Sequence, residues 1–338
     1  MSLREALDAV LARRDLSADE ASSALGEIVS GDVDGALIAA FLVALRMKGE
    51  TPAEVAGLAR TMRDNAVPVT PKATGLVDTC GTGGDGKHTL NISTATAFVV
   101  AGAGLPVAKH GNRAISSGSG SADVLEALGI PVDIDADRIA RCIDEAGIGF
   151  LFAPALHPAM AKVMPTRRAL GVRTVFNMLG PLTNPARPSF QLVGVAVPEM
   201  ADLVAGALAE LGAERAIVVH GAGGTDELTC AGDCILIVVA DGKLDRRTIC
   251  AEDADLAASP LDAVRGGTPE ENSQSLREVL DGKPGPYADC VLFNAGAAFM
   301  AAGRANEIRD AVNQARAVID RGDAAASLER LVAVANDT

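Results

Sequence analysis

Between Asp78 and Thr94 the chain reads DTCGTGGDGKHTLNIST, with glycines at 81, 83, 84 and 86. Gly75, Leu76 and Val77 lead in, and an Ala/Val-rich run follows from Ala95 to Ala103. This is the order strand, glycine loop, helix start. Glycine lets the backbone reach positive φ and approach a ligand closely. The free N–H groups of a helix start, backed by the helix dipole, attract anions. The chemistry such a loop can do is phosphate binding. Gly86-Lys87 is followed by His88 rather than Ser or Thr, so it is no P-loop, and Gly86 falls too early for G-x-G-x-x-G. An isolated glycine loop also fits an ordinary strand–helix turn. Here a second polar cluster follows, Lys109-His110-Gly111-Asn112-Arg113 and a Ser/Gly run from Ser116 to Ser121. The two loops flank one apolar helix and can face the same crevice.

A third candidate is acidic. Asp226 and Glu227 come after a glycine loop, Gly221 to Gly224, that follows a strand ending at His220. Magnesium favours few carboxylates plus waters and substrate phosphates, although a solvated acidic turn has the same local pattern. The basic residues of interest, Lys109, Arg113, Arg167, Arg168 and Arg173, sit among glycines and prolines rather than on helix faces. The formal net charge is −14, which argues against generic nucleic-acid binding. A cationic site in so acidic a chain suggests a small anionic ligand. The cysteines at 80, 142, 230, 234, 250 and 290 complete no zinc pattern and read as reduced, mostly buried thiols.

The elements that must position these groups fall into two textures. The first 65 residues read as helices, with capping boxes at Ser2/Glu5, Ser17/Glu20 and Thr51/Glu54 and Pro52 at a first helical position. Ala36 to Leu45 is apolar nearly all round, which predicts a buried helix, in a core or at a subunit contact. Residues 66–72 carry two prolines and read as a linker. Strands are then expected at 75–79, 105–108, 149–152, 191–197, 216–220 and 235–239, with helices near 94–103, 121–128, 136–146 and 199–211. Helices at 272–281, 286–303, 306–320 and 323–335 close the chain. The fold class is α/β: a small all-helical N-terminal domain, residues 1–70, and a large α/β domain, residues 71–338, with a mostly parallel central sheet flanked by helices. The proline-cut segment 154–188 interrupts the rhythm, and part of it, within 160–188, is expected to rejoin the N-terminal helices. The inter-domain cleft is then the expected site. With 49% hydrophobic residues the core can be large, and neither a membrane span nor a signal peptide is read, so the expected location is cytoplasmic.

GTGGDG, NIST, KHGNR, HPAM, RRALGVRTVFNMLGPLTNP and Gly224-Thr225-Asp226-Glu227 occur in that order. Together they resemble the anthranilate phosphoribosyltransferase family, of tryptophan biosynthesis, over essentially the whole chain. The resemblance implies transfer of phosphoribosyl from 5-phosphoribosyl 1-pyrophosphate (PRPP) to the amine of anthranilate, with pyrophosphate released. It also implies Mg²⁺, as a pair of ions in each site, and a homodimer through the N-terminal helices. By the same resemblance Gly81, Gly84, Asp85, Thr89, Asn91, Ile92, Ser93 and Thr94 line the PRPP site. Lys109, His110, Gly111, Asn112, Arg113, Ala114, Ile115, Ser116, Ser117 and Ser121 close its other side. Gly81, Asn112 and Arg167 are implied for anthranilate, and Ser93, Asp226 and Glu227 for the metal. A guanidinium can take a carboxylate bidentately.

An aromatic amine carries a free lone pair at neutral pH, so no acid or base is assigned. Positioning and stabilisation of the leaving pyrophosphate are expected to dominate. The related pyrimidine nucleoside phosphorylases carry a Lys-x-Ser-Gly-Arg type sequence where KHGNR stands here, which favours the transferase. A non-catalytic nucleic-acid-binding relative is disfavoured by the charge and by the Asp226-Glu227 pair. One departure stands out: many family members have a lysine after the two serines that follow KHGNR, and this chain has Gly118.

Overall fold

The computed structural model describes residues 1–31, 33–114 and 118–337. Ile115, Ser116 and Ser117 lie outside the described residues.

Four helices open the chain: α1 (Leu3–Leu11), α2 (Ala18–Ser30), α3 (Gly35–Lys48) and α4 (Pro52–Asp64). The three capping boxes close as the spacing requires, at Ser2, Ser17 and Thr51. Helix α3 is covered on only one side within the chain. It buries Ile38, Phe41, Leu42 and Leu45, whereas Ala36, Ala40 and Met47 on the opposite side are exposed. A uniformly apolar helix thus has one covered face and one bare face.

The α/β part runs β1 (Val77–Asp78), α5 (Ile92–Gly102), β2 (Val107–Gly111), α6 (Ser121–Ala127), α7 (Ala136–Ala146) and β3 (Ile148–Phe152). Short helices α8 (Ala153–Leu156), α9 (Met160–Leu170) and α10 (Phe176–Leu179) follow, then β4 (Phe190–Gly194), α11 (Glu199–Glu210), β5 (Arg215–His220), β6 (Cys234–Ala240) and β7 (Lys243–Ile249). The chain ends with α12 (Pro269–Leu280), α13 (Pro286–Ala301), α14 (Ile308–Asp320) and α15 (Asp323–Asn336). The seven strands form one sheet in the order β3-β2-β1-β4-β5-β6-β7. The five strands from β3 to β5 are parallel, and β6 and β7 add antiparallel. Six of these strands were expected. The seventh, KLDRRTI, is exposed along nearly its whole length and carries too few apolar residues to read as a strand.

Successive side chains on a strand face opposite sides, and the core divides accordingly. Leu192, Ile217, Val219 and Leu236 join α5 and the C-terminal helices on one face. Val193, Val218, Ile237 and Val239 join α11 and all four N-terminal helices on the other. Val163, Val175, Phe176 and Leu182, from the proline-cut segment, belong to that second cluster. Two close helix crossings depend on glycine. A Cβ at Gly57 would stand 2.1 Å from the Ala18 carbonyl, and one at Gly206 would stand 2.8 Å from Pro52. The six cysteines are free thiols, four of them buried. Among the described residues no helix is long and apolar enough to cross a membrane.

Candidate active site

The chain runs from β1 outward to β2 and β3, then returns to place β4 on the other side of β1. In parallel sheets such a switch of direction opens a crevice at the carboxyl ends of the strands. The glycine loop follows β1, the KHGNR cluster spans the end of β2, and the acid pair lies beyond β5. All three candidate loops therefore reach the same edge.

The first loop is pinned across the switch point. Gly81 bridges Gly194 in parallel, and Thr82 N–H donates to Gly194 O at 2.9 Å. The acid-pair loop presses into this junction. A Cβ would lie 2.3 Å from Asp226 Oδ2 at Gly81, 1.5 Å from Asp226 O at Gly194 and 1.8 Å from Glu227 O at Gly221. These glycines are required by close approach. Gly83 N–H then donates to Asp226 Oδ2 at 2.6 Å, and Ser93 N–H, at the start of α5, to Glu227 Oε1 at 2.8 Å. Thr89 Oγ1 is 3.4 Å from Glu227 Oε2, and Asp85 Oδ1 accepts from Lys87 N–H at 3.0 Å. Ile92 is fully buried, and Thr79 Oγ1 donates to Ser93 O at 3.1 Å.

Both acids hold their protons more tightly than ordinary carboxylates. For Asp226 the causes are burial and the Asp85 charge; for Glu227 they are burial and the Asp226 charge. Among the described residues neither is in an ion pair. Crowded, hydrogen-bonded oxygens with uncompensated charge suit a hard divalent cation, so the donor set fits Mg²⁺. No group of three or more His, Cys, Asp or Glu gathers among the described residues.

The second loop meets the first across α5. Asn91 Nδ2 donates to Ser119 O at 3.2 Å, and Thr94 Oγ1 and Ser121 Oγ are 3.2 Å apart. Arg113 gives its guanidinium to Glu126 and Asp123 and lies 5.5 Å from the Phe152 ring centroid. It is therefore already neutralised. Asp123 also accepts from Ala114 N–H at 2.9 Å and Gly120 N–H at 2.8 Å. Asn112 is exposed, its Oδ1 accepting from Arg113 N–H at 2.7 Å.

Lys109 and His110 point to opposite faces of β2. Lys109 is 2% exposed and donates to Thr79 O at 3.0 Å, beneath the first loop. His110 N–H donates to Asp78 Oδ1 at 3.1 Å, and its Nδ1 lies 3.0 Å from Gly180 O. A carbonyl can only accept, so His110 Nδ1 carries the proton, and its Nε2 accepts from His157 Nε2 at 3.2 Å. That leaves His157 Nδ1 as a buried acceptor without a partner among the described residues. Burial, then the neighbouring His157 and Lys109, brings His110 down to about 3, and burial brings His157 to about 4, so both rings are neutral. Asp78 is fully buried, which raises it to about 6, and it accepts from Asn184 Nδ2 at 2.8 Å.

Arg167 stacks over Phe176 at 5.3 Å and reaches Met164 Sδ at 3.8 Å. Burial lowers its pKa, and among the described residues it has no carboxylate partner. The neighbouring Arg168 is exposed. Arg173 donates to Gly84 O, tying the segment after α9 to the first loop.

Two family descriptions match the chain: the helical bundle domain of a glycosyl transferase family over residues 4–66 and its a/b domain over residues 73–325. The anthranilate phosphoribosyltransferase of Chloroflexus aurantiacus is 53% identical over 336 residues, covering 99% of each chain. The crystal structure of the Thermus thermophilus anthranilate phosphoribosyltransferase has a TM-score of 0.93 at 44% identity, covering 98% of this chain and 99% of that one. The Saccharomyces cerevisiae protein, solved in complex with PRPP and Mg, has a TM-score of 0.89 at 27% identity, covering 98% and 97%. Its complex with 4-fluoroanthranilate has a TM-score of 0.86.

The chain belongs to the anthranilate phosphoribosyltransferase family.

Several groups in this anthranilate phosphoribosyltransferase fold carry the site without having been marked by their own spacing. Asp78 and Asn184 join the GPLTNP turn to β1, with Gln191 Nε2 donating to Pro181 O at 2.9 Å. An acid ending a strand of apolar neighbours, and an Asn inside a proline turn, were the available signals. Gly194 had none, since a glycine ending a strand is commonplace.

Proposed function

We propose that this chain transfers the phosphoribosyl group of PRPP to the amine of anthranilate and releases pyrophosphate, with magnesium bound. The observation that carries the reading is the seating of Asp226 and Glu227 on the amides of Gly83 and Ser93. It brings metal-suited carboxylates against a glycine loop and a helix start, where a diphosphate would lie. Identity of 53% to a family member over nearly the whole chain supports the same reaction.

In this reading Gly81, Gly84, Asp85, Thr89 and Asn91 to Thr94 receive PRPP, with the KHGNR loop and Ser121 opposite. Lys109 and Ile92 act from beneath as buried supports, since neither is exposed. Asp226, Glu227 and Ser93 would hold magnesium, which supplies charge neutralisation for the departing pyrophosphate. Arg167, without a carboxylate partner among the described residues, takes the anthranilate carboxylate, with Asn112 and the Gly81 backbone as the other groups assigned to that substrate. The C1′–O bond breaks with its electron pair leaving on pyrophosphate, the amine lone pair forms the C1′–N bond, and the nitrogen then gives up one proton to the released pyrophosphate or to water. No side chain is required as a base: the neutral imidazoles orient groups rather than abstract a proton. The helical unit is taken as residues 1–70 with part of 160–188, the chain as cytoplasmic, and the assembly as a homodimer through the N-terminal helices.

The test is loss of anthranilate fluorescence on mixing with PRPP, run with magnesium and with chelator. Loss only with magnesium is expected. Phosphorolysis of a pyrimidine nucleoside in place of that loss would move the chain to the phosphorylase reading.

A further inference from the structure

A third segment holds the two loops in register. Val264 to Gly267 runs beside the end of the first loop. Leu90 N–H donates to Val264 O at 2.9 Å and Gly266 N–H to His88 O at 2.8 Å, and Thr89 pairs with Arg265 in an isolated antiparallel bridge. Helix α12 begins just beyond. Its Asn272 is 1% exposed and uses both ends of its amide. Oδ1 accepts from Gly267 N–H at 2.8 Å, and Nδ2 donates to Asn91 Oδ1 at 2.9 Å.

The polarity of this chain of bonds is set consistently from both ends, by the Gly267 N–H, which can only donate, and by the Ser119 carbonyl, which can only accept, with Ser119 Oγ adding a 3.4 Å bond to Asn91 Oδ1. A backbone N–H can only donate, so Asn272 must turn its oxygen to Gly267 and its amine to Asn91. Asn91 must then turn its oxygen to Asn272, which aims its own Nδ2 at Ser119 O in the second loop, 3.2 Å away. Tyr287 Oη donates to Asn91 O at 3.2 Å and holds the backbone of the same residue. The second loop also leans on this segment: a Cβ at Gly118 would stand 2.9 Å from Gly267 O. The glycine that replaces the family's frequent lysine is thus matched to its neighbour.

We propose that Asn272 is a positioning residue for the PRPP site, acting through Asn91: it anchors the Asn91 side chain to the Val264–Gly267 segment and so holds the spacing of the two loops. The inference rests on the PRPP reading given above. Removing the Asn272 amide leaves Gly267 N–H unpaired and takes from Asn91 Oδ1 its 2.9 Å donor, leaving the longer bond from Ser119 Oγ at 3.4 Å, so the Asn91 side chain is held less firmly between the loops.

The test is calorimetric titration of the full chain with PRPP in the presence of magnesium, alongside steady-state kinetics. Asn272→Ala should weaken PRPP binding about tenfold while the KM for anthranilate changes less than about twofold. Asn272→Asp keeps an acceptor for Gly267 but sets a second oxygen against Asn91; it should weaken binding similarly and serves if the alanine variant fails to fold. In an Asn91→Ala background the Asn272 substitution should cost clearly less than it does alone, because coupled groups are non-additive. PRPP affinity of Asn272→Ala and Asn272→Asp within about twofold of the parent, or an undiminished loss in the Asn91→Ala background, overturns the proposal. A parent that binds no PRPP sinks the functional reading and this inference together, whereas a binding parent with unaffected Asn272 variants sinks the inference alone.

Discussion

His110 and His157 meet only because β2 and β3 are neighbours in the sheet. Their pairing has a consequence for acid stability. Both rings are neutral in the fold, at about 3 and about 4, whereas a free imidazole titrates near 6.5. Below that ordinary value the unfolded chain takes up protons that the fold refuses, so stability falls as pH drops and is unaffected above it. At pH 5 the loss is about 2 kcal/mol for each ring. Asp78, which faces His110 and is raised to about 6, works the other way: it binds its proton more tightly in the fold and offsets part of the loss. Replacing His157 by Asn removes one ring that the unfolded chain can protonate. The stability lost between pH 7 and pH 5 should then shrink by about 2 kcal/mol, as read from urea unfolding at both values. An equal loss in parent and variant would refute the assignment. At this scale the sequence was readable where a residue sat inside a motif, as His110 did. It was unreadable where the contact came from elsewhere, as with Asn272 and Gly194 and with the pairing of His157 (itself inside HPAM) to His110, because contact across strands and helices leaves no local spacing.

Among elements, the N-terminal helices were legible because their signals are local. A cap and its partner three residues on form a bond whatever the tertiary context. The structure uses one of these signals twice. Glu54 completes the box of α4, with Thr51 N–H at 2.8 Å, and also accepts from Leu16 N–H at 2.9 Å and Lys48 Nζ at 3.1 Å. Lys48 reaches Asp15 at 2.6 Å as well. One fully buried carboxylate thus ties the entry of α2, the end of α3 and the start of α4. Its pairing is the part that spacing could not show. Glu54→Ala leaves those donors unmatched and should cost about 3 kcal/mol, well above a lost surface cap, measured from urea midpoints. A cost under about 1 kcal/mol would mean that water or Asp15 replaces it fully. The elements that escaped reading did so for physical reasons. Strand β7 is mostly exposed, and α9 contains Pro165, so each contradicts the pattern its class normally presents.

At the scale of the whole molecule the helical unit and one sheet face share a continuous apolar cluster through α11. The first 65 residues therefore stand on the sheet, and their remaining apolar surface points outward. Ala36, Ala40 and Met47 are exposed along α3, with Leu37, Val43 and Ala44 half-buried between them. Met47 is 71% exposed. Spacing of three and four residues puts 36, 40, 43 and 47 on one stripe. A contiguous apolar stripe is costly to leave in water and marks an interaction surface. The homodimer proposed above covers it with the same stripe of a second copy, since a two-fold contact is self-complementary. A charge placed at such a contact is buried twice. Ala40→Glu and Met47→Glu touch no buried side of α3, so the fold should survive while association is lost. Sedimentation equilibrium should then give the mass of one 34.4 kDa chain for the double variant and twice that for the parent. A parent that sediments as a single chain, or a variant that stays paired, would show that the bare face of α3 is not where two copies meet.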